Sequence, residues 1–458
     1  MPPSVKAKAA GGCVAVRLPI RPFRIFLDCS KRATKLTDRL QKEFAANRKP
    51  RKADSADFTS NCLVTLRLMV LNLAAVAISN RHVWLQVLAN RTWYWKNRFW
   101  IGENVTQASV RVCRDFLISH GYAIFNGGVA SRAFRYRRPS TLHVTHKFAS
   151  QVRQLGITPK DIWRSPDQDL IQLRGPKNTD GTKQRVPFAE NDQTDLMSKR
   201  LAGINRLLNS ADIRLNVTAS EWRHICTHIE RKTDPEFDVD QADDLMLDLT
   251  QRSLYRVFNN GSFDQGGRFY GGWWQALPKK WRSYITINRR KIVELDYSAM
   301  HPTALSHELG IPVAPNFYEF GVGTKALVKA TFNALINARG TSINAVQGFD
   351  EAEIGMSWEE FLRRVKLHYA PYKAFFGTGY GLKLQRLDSD IAEAVMLHFV
   401  ERGKVVLPVH DSFLCEQRHE AELAFVMEEQ FRLRTGGSIS FKRKRLSPRQ
   451  IAEIRARA

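Results

Sequence analysis

Apolar positions along this chain follow two rhythms, and their alternation predicts the elements. Cys62–Ile78 is a nearly continuous apolar run broken by Arg67 and Asn72. It is short for a membrane span and carries a charge, so it reads as a buried core helix. A second helix is expected over 81–90. In Thr106–His120 the apolar residues Val110, Val112, Cys113, Phe116 and Leu117 recur at helical spacing, with Thr106 as N-cap. The rhythm then shortens. Gly121–Phe125, the Asn126-Gly-Gly turn, Ala133–Arg138 and Leu142–Val144 read as a β-hairpin. Three helices are expected between 195 and 258. Ile292–Leu295 and Val405–Val409 are short, β-branched runs that read as buried strands. A helix follows the first, Ala299–Leu309. Glu420–Arg432 reads as a helix and Ser438–Phe441 as a strand. The fold class is α+β.

Punctuation suggests the divisions. Residues 1–60 read as a basic, weakly ordered arm containing Arg48-Lys-Pro-Arg-Lys52, and 61–150 as a compact domain. Residues 151–194 are rich in Gly, Pro and Asp and read as a linker. A helical region covers 195–260, and a larger α+β domain 261–458.

Charge narrows the class of partner. Lys and Arg number 70 against 45 Asp and Glu, a formal net charge of +25 over 458 residues. Such a surplus points to a polyanion. Cysteines 13, 29, 62, 113, 226 and 415 form no CxxC pair, so reduced thiols and an intracellular setting are expected. His224-x-Cys226-x-His228 does not share a helical face and reads as structural. The first 30 residues are interrupted by Arg17, Arg21 and Arg24, so no cleavable signal is read there, and no membrane partner is expected.

The chemistry gathers at two strand ends. The first strand runs into Asp296-Tyr297-Ser298 and the second into His410-Asp411-Ser412. An acid at the tip of a buried strand is costly unless positive charge sits beside it. Two such aspartates can share divalent cations, which activate a hydroxyl and stabilise a leaving pyrophosphate.

Asp-Tyr-Ser followed downstream by Val-His-Asp resembles motifs A and C of the family-A DNA polymerases and the related single-subunit phage-type RNA polymerases. The intervening elements are present in order. Gly267-Arg268-Phe269, Gln275, Leu277-Pro278 and Arg282-Ser-Tyr-Ile285 are similar to the segment that leads into motif A. Lys325-x-x-x-Lys329-x-x-Phe332-Asn333-x-x-x-Asn337 resembles motif B, and its spacing puts Lys325, Lys329, Asn333 and Asn337 on one helical face. Leu384-Gln385 with Asp388-Ser-Asp390-Ile resembles the segment preceding motif C.

The resemblance implies a polymerase right hand: an antiparallel palm sheet with helical fingers (about 311–380) and a thumb at 195–260, the last by position alone. It implies template-directed nucleotidyl transfer on a DNA primer-template with nucleoside triphosphates. Two Mg²⁺ ions, or Mn²⁺, would be held by Asp296, Asp411 and the Tyr297 carbonyl. Lys329 would bind the triphosphate and protonate pyrophosphate, with Lys325, Asn333, Asn337 and His301 also lining the nucleotide site. Arg268, Gln275, Arg282, Gln385 and His410 would face the primer-template.

Two departures bear on the sugar. His301 stands where DNA-type members carry a glutamate, and Asn333 and Asn337 replace aromatic residues. An imidazole can exclude a 2′-hydroxyl or hydrogen-bond one, so both sugars stay open. Lys325 also replaces an arginine, leaving a point charge in place of a fork.

Upstream, helices followed by a basic hairpin resemble a winged helix, with Arg111, Arg114, Arg132, Arg135, Arg137 and Arg138 as phosphate contacts. No proofreading acid constellation is recognisable. The expectation is a DNA-dependent DNA polymerase of family-A type, cytoplasmic and nucleoid-associated, serving a phage, plasmid or mobile element. The alternatives are a primase-like or single-subunit RNA polymerase, a non-catalytic replication initiator, and a nuclease using the same two aspartates.

Overall fold

The computed structural model describes residues 20–21, 23–48, 55–79, 83–87, 104–131, 136–179, 182–232, 247–319, 321–340, 342–444 and 452. They divide into two compact units: one from residues 1–164 with 248–250, the other from 165–247 with 251–458.

In the first unit, β1 (Ile20–Arg21) and β2 (Leu27–Cys29) precede α1 (Lys31–Asn47) and α2 (Ala56–Ile78). After them come β3 (Trp84–Gln86), α3 (Gln107–Ser119), β4 (Ala123–Asn126), β5 (Val129–Ser131), β6 (Tyr136–Arg138), β7 (Thr141–Val144), α4 (His146–Gln154) and β8 (Ile162–Arg164). The first helix corrects the expectation of a loose arm over 1–60. The Ser30 hydroxyl caps α1 by accepting from the Ala33 N–H, and Leu36, Leu40 and Phe44 bury one stripe. Each such side chain contributes about 1.5–3 kcal/mol. The stripe is narrow among basic neighbours, which hid it. Of the basic cluster Arg48–Lys52, residues 49–52 lie outside the described residues.

Helix α2 is long and apolar enough to cross a membrane, yet two-thirds of that stretch is buried within the protein. Its polar interruptions are tethers. Asn72 accepts from Arg21 and from the Arg24 N–H, and Arg67 pairs with Asp28 at 2.8 Å. The fully buried Arg21 also donates to Asp248 at 2.9 Å.

The helix expected over 81–90 is instead β3 at its centre. Val83, Leu85 and Val87 are buried while Trp84 and Gln86 are half-exposed, the period of a strand. The sheet order is β1-β3-β7-β4, and β5 pairs with β6. Arg132 and Arg135 lie outside the described residues, as do the side chains of Arg137 and Arg138. Arg111 is exposed on α3, and Arg114 pairs with Asp115 and stacks over Phe125. The described cysteines are free thiols.

The expected linker is also corrected. It contains the last turn of α4, β8 (paired with β2) and two strands of the second unit, β9 (Ile171–Lys177) and β10 (Lys183–Arg185). The turn-forming residues there flank a short buried run, Leu170–Leu173, rather than replacing it. Of the three helices expected from 195 to 258, two are present among the described residues, α5 (Asp192–Ser210) and α6 (Ala219–Lys232), with β11 (Ile213–Leu215) between them, while 233–246 lie outside the described residues. The β-branched and aromatic run Tyr255–Asn259 is a strand, β12, paired with β13 (Ser262–Tyr270).

Next come β14 (Ile285–Ile287), β15 (Arg290–Tyr297), α7 (Met300–Glu308), α8 (Lys325–Asn337), α9 (Trp358–His368) and α10 (Gly381–Val400). The chain closes with β16 (Val406–Val409), β17 (Ser412–Glu416), α11 (Glu420–Thr435) and β18 (Phe441–Lys444). The last strand lies beyond the predicted Ser438–Phe441, because pairing with β15 recruits Lys442, Arg443 and Lys444 despite their charge. The central sheet runs β11-β14-β15-β17-β16, with β18 on the other side of β15 from β17, and every pairing is antiparallel.

A second sheet, β10-β9-β12-β13, carries a bulge. Val257 pairs with Arg268 but Phe258 pairs with Gly266, leaving Gly267 extra. Its φ is 80°, and an added Cβ would lie 2.7 Å from the Phe258 ring and 3.0 Å from Ser389 Oγ. The fully buried Arg256 holds the bulge to α10. It donates to the Gly267 carbonyl at 2.8 Å, to Glu393 at 3.0 Å and to Ser389 at 3.1 Å.

Gly267→Ala should therefore destabilise the protein by about 2–4 kcal/mol, combining a strained φ with a clash. Gly403→Ala, also at positive φ but with open space around it, should cost about 1 kcal/mol. Thermal or urea unfolding of the two variants checks the difference. Equal losses would contradict the packing of the bulge.

Candidate active site

Strand β15 emerges from the sheet core at Asp296. Its partner β17 begins at Ser412, which lies opposite Asp296, and the Tyr297 N–H donates to the Asp411 carbonyl at 3.3 Å. Asp296 and Asp411 are thereby side by side at the end of one ladder. The β16–β17 turn contains only His410 and Asp411, and His410 takes a left-handed φ of 55°. That conformation is uncommon outside glycine, and it turns the hairpin tip toward the cleft. Pro408 is tolerated because β16 is the sheet edge. Trp274 Nε1 and Gln275 Nε2 both donate to its carbonyl, at 3.0 and 3.3 Å.

These residues open onto a cleft of about 1180 Å³. It brings together Arg268, Arg282, Asp296, Tyr297, His301, Lys325, Lys329, Asn333, Asn337, Gln385, His410 and Asp411. Gln275 is not among its lining residues. Its amide instead bonds the Phe269 and Pro408 carbonyls and the Gly272 N–H, bracing the loop behind the hairpin.

The sequence did not single out Lys279, Lys442 or Tyr318, which also line it. Lys279 follows Pro278 in the quoted Leu-Pro step. Lys442 stands opposite Asp296 in the β15–β18 ladder. Six basic side chains face three acidic ones, Glu294, Asp296 and Asp411. Lys279 Nζ lies 3.8 Å from Asp296.

Burial and the neighbouring Asp296 raise the Asp411 carboxyl above its ordinary value, against the pull of Arg268. His410 is accessible from the cleft, but surrounding protein displaces bulk water from the ring. That desolvation, with the Arg268 charge, pushes its pKa down to about 4, so the ring is neutral near pH 7. Tyr318 is pushed up by burial, with the Tyr369 and Asp411 neighbours adding to it.

Helix α8 presents Lys325, Lys329, Asn333 and Asn337 to the cleft. Its N-cap is Thr324, whose hydroxyl accepts from the Leu327 N–H. Lys325 pairs with Glu319 at 2.9 Å, and Lys329 lies 5.9 Å from the Tyr318 ring centre. Phe332, buried at the edge of that face, packs among Phe317, Tyr369 and Tyr372.

On α10, Asp388 is almost completely buried and accepts from two cleft residues. The Arg268 guanidinium bonds it through Nε at 3.0 Å and also through Nη2, and His301 Nε2 lies at 3.1 Å. Burial alone would raise the carboxyl, but the His301 hydrogen bond and the Arg268 charge outweigh it and hold the pKa below the ordinary value. Among the described residues no group of three or more His, Cys, Asp and Glu side chains gathers as a metal-ligand set. His224, Cys226 and His228 are among those that do not.

Asp388 stabilises the fold only while ionised. Its contribution is complete above the unfolded value of about 3.9 and is lost as pH falls through the lower folded value. The melting temperature of the wild type should therefore fall more steeply than that of Asp388→Asn between about pH 5 and pH 2, the two curves converging at the acid end. Parallel curves would place Asp388 outside the stabilising network.

No protein-family model matches the sequence, and no curated protein is similar to it in sequence. Among solved structures, one similar to this chain is the polymerase domain of Pol1 from M. smegmatis in complex with a DNA primer-template and dNTP. The match has 10% identity and a TM-score of 0.28, and covers 89% of this chain and 65% of that one. This chain thus spans less than two-thirds of that structure. A likeness so distant leaves the assignment to the residues of the cleft.

Proposed function

We propose that the second unit is a template-directed nucleotidyltransferase, a family-A-like DNA polymerase without proofreading. The observation that carries the reading is the meeting, in one cleft, of two strand-end aspartates with the lysine face of α8. A volume of about 1180 Å³ exceeds most small-molecule pockets, which run to roughly 1,000 Å³. It suits a nucleotide together with part of a strand.

Asp296 and Asp411, with the Tyr297 carbonyl, would hold Mg²⁺ or Mn²⁺. The donors are hard oxygens, and the pair repels itself in a half-buried setting that a divalent cation would relieve. When bound, such ions activate a hydroxyl and neutralise charge on the departing pyrophosphate. The remaining roles belong to the chain. Lys325 and Lys329 stand at the N-terminal end of α8, where the helix dipole disfavours cations but attracts a triphosphate. Lys329 would carry a proton to the leaving pyrophosphate. Arg268, Arg282 and Gln385 would face the primer-template, and the neutral His410 would brace the primer end. Asn333 and Asn337 would hydrogen-bond the incoming nucleotide, where aromatic residues would stack.

The winged-helix reading of the first unit, its phosphate contacts, and service to a phage, plasmid or mobile element belong to the same proposal. The net charge of +25 supports a nucleic-acid partner.

The test is extension of a labelled primer on a DNA template with Mg²⁺ and nucleoside triphosphates. Wild-type protein should extend the primer, Asp411→Ala should abolish extension, and Lys329→Ala should lower kcat by about 10²–10³-fold. DNA binding without extension would favour a non-catalytic initiator. Strand cleavage lost in Asp411→Ala would favour a nuclease.

A further inference from the structure

A buried guanidinium needs an acceptor, and among the described residues Arg174 is left without one. It stands on β9 with 8% of its surface exposed, no acceptor meets its Nε, and no carboxylate pairs with it. The buried Arg21 and Arg256 are by contrast bonded to Asp248 and Glu393. An uncompensated charge is costly to bury.

Its surroundings add to that cost. Arg185 of β10 lies directly opposite Arg174 in the ladder, and like charges so placed repel. Arg185 is bonded to Asp169, which also accepts from Gln172 at 3.0 Å. Lys183 brings a third cation. Leu173 pairs with Phe258, so Arg174 and Asn259, the next residue of each strand, are neighbours on one face of the sheet. Lys183 Nζ donates to Asn259 Oδ1 at 2.7 Å. To reach β12 from β10, its side chain crosses β9 beside Arg174. Arg185, with 18% of its side chain exposed, and the half-buried Lys183 open the cluster to solvent. None of these residues lines the active cleft.

We propose that Arg174, Arg185 and Lys183 form a phosphate site outside the active cleft, which takes one backbone phosphate of a bound nucleic-acid strand. A guanidinium carries a fork of N–H donors matched to phosphate oxygens. A phosphate between Arg174 and Arg185 gives the first its missing acceptor and turns the repulsion of the opposed pair into shared attraction. The net charge of +25 favours a polyanion as the source, and β13 of the same sheet carries Arg268 to the cleft. The site goes beyond the polymerase reading, since it depends on a nucleic-acid partner and not on catalysis.

Two measurements on the full chain test it, both in EDTA and both repeated in Asp411→Ala. The first is the melting temperature in inorganic phosphate against chloride of equal ionic strength. Phosphate should raise the wild-type midpoint and leave that of Arg174→Met unmoved. Without phosphate, Arg174→Met should melt no lower than wild type, because it removes an unpaired buried charge and keeps an apolar stem. The second is the salt dependence of binding to a labelled DNA duplex. Arg174→Met should lower the slope of log K against log salt by up to about 0.9, the contribution of one phosphate. Arg174→Lys should keep the slope, and Lys183→Gln, at a half-buried position, should reduce it.

A wild type that phosphate does not stabilise, or stabilisation equal in Arg174→Met, would overturn the site. An Arg174→Met variant that melts well below wild type without phosphate would overturn it too, making the arginine a packing residue. Stabilisation that depends on Arg174 with an unchanged DNA slope would assign the site to free phosphate and overturn the nucleic-acid source. Failure of primer extension would leave all of these outcomes readable, because none of them requires turnover.

Discussion

Two carboxylates that repel one another are held together by backbone pairing, and the rest of the second unit follows from that constraint. The β15–β17 ladder runs from Ile292↔Glu416 to Asp296↔Ser412, so the acids cannot separate without unzipping the sheet core. Val293, Leu295, Phe413 and Leu414 anchor that ladder in apolar surroundings. The penalty of the pair is borne by hydrophobic burial, and the neighbourhood is correspondingly basic. Lys279 stands beside Asp296, Arg268 beside Asp411, and Lys442 across the adjoining rung.

The second organising device is a set of buried charges joining the bulged sheet to α10. Arg256 is bonded to Glu393, Ser389 and the bulge carbonyl, and Arg268 to Asp388 one step along. Breaking one partner of such a network leaves a buried charge unpaired, which costs more than the intact pair contributes. Its value here is placement. The bulge at Gly267 re-aims Arg268, and Asp388 joins it to His301 by direct hydrogen bonds.

Much of the second unit could be read from residue order. The strand-end aspartates, the helix after Asp296 and the lysine face of α8 are local patterns with fixed periods, and the structure has strands and helices at those places. What could not be read depends on partners far along the chain. Strand β18 carries Lys442, Arg443 and Lys444 and looks like a solvated tail until β15 pairs with it. Gln275 sits in a segment read for nucleic-acid contact, but its amide is committed to backbone carbonyls. Asp388 was visible within its motif, yet nothing in spacing says that Arg268 and His301 converge on it. In the first unit, alternation at Val83–Val87 was too short to outvote a helix, and in the second unit turn-forming residues masked β9. Those errors share one cause, since short strands are specified by their neighbours more than by their own composition.

The central claim is that Asp296 and Asp411 are held against their own repulsion for a divalent cation. The most direct measurement is the thermal midpoint of wild type and Asp411→Asn, each in EDTA and in Mg²⁺. The asparagine variant should melt higher than wild type in EDTA, because the strained carboxylate is gone. Mg²⁺ should raise the wild-type midpoint and leave the variant's unchanged. A wild type indifferent to Mg²⁺ and Mn²⁺, together with a variant that melts lower in EDTA, would mean that Asp411 serves the fold and not a metal.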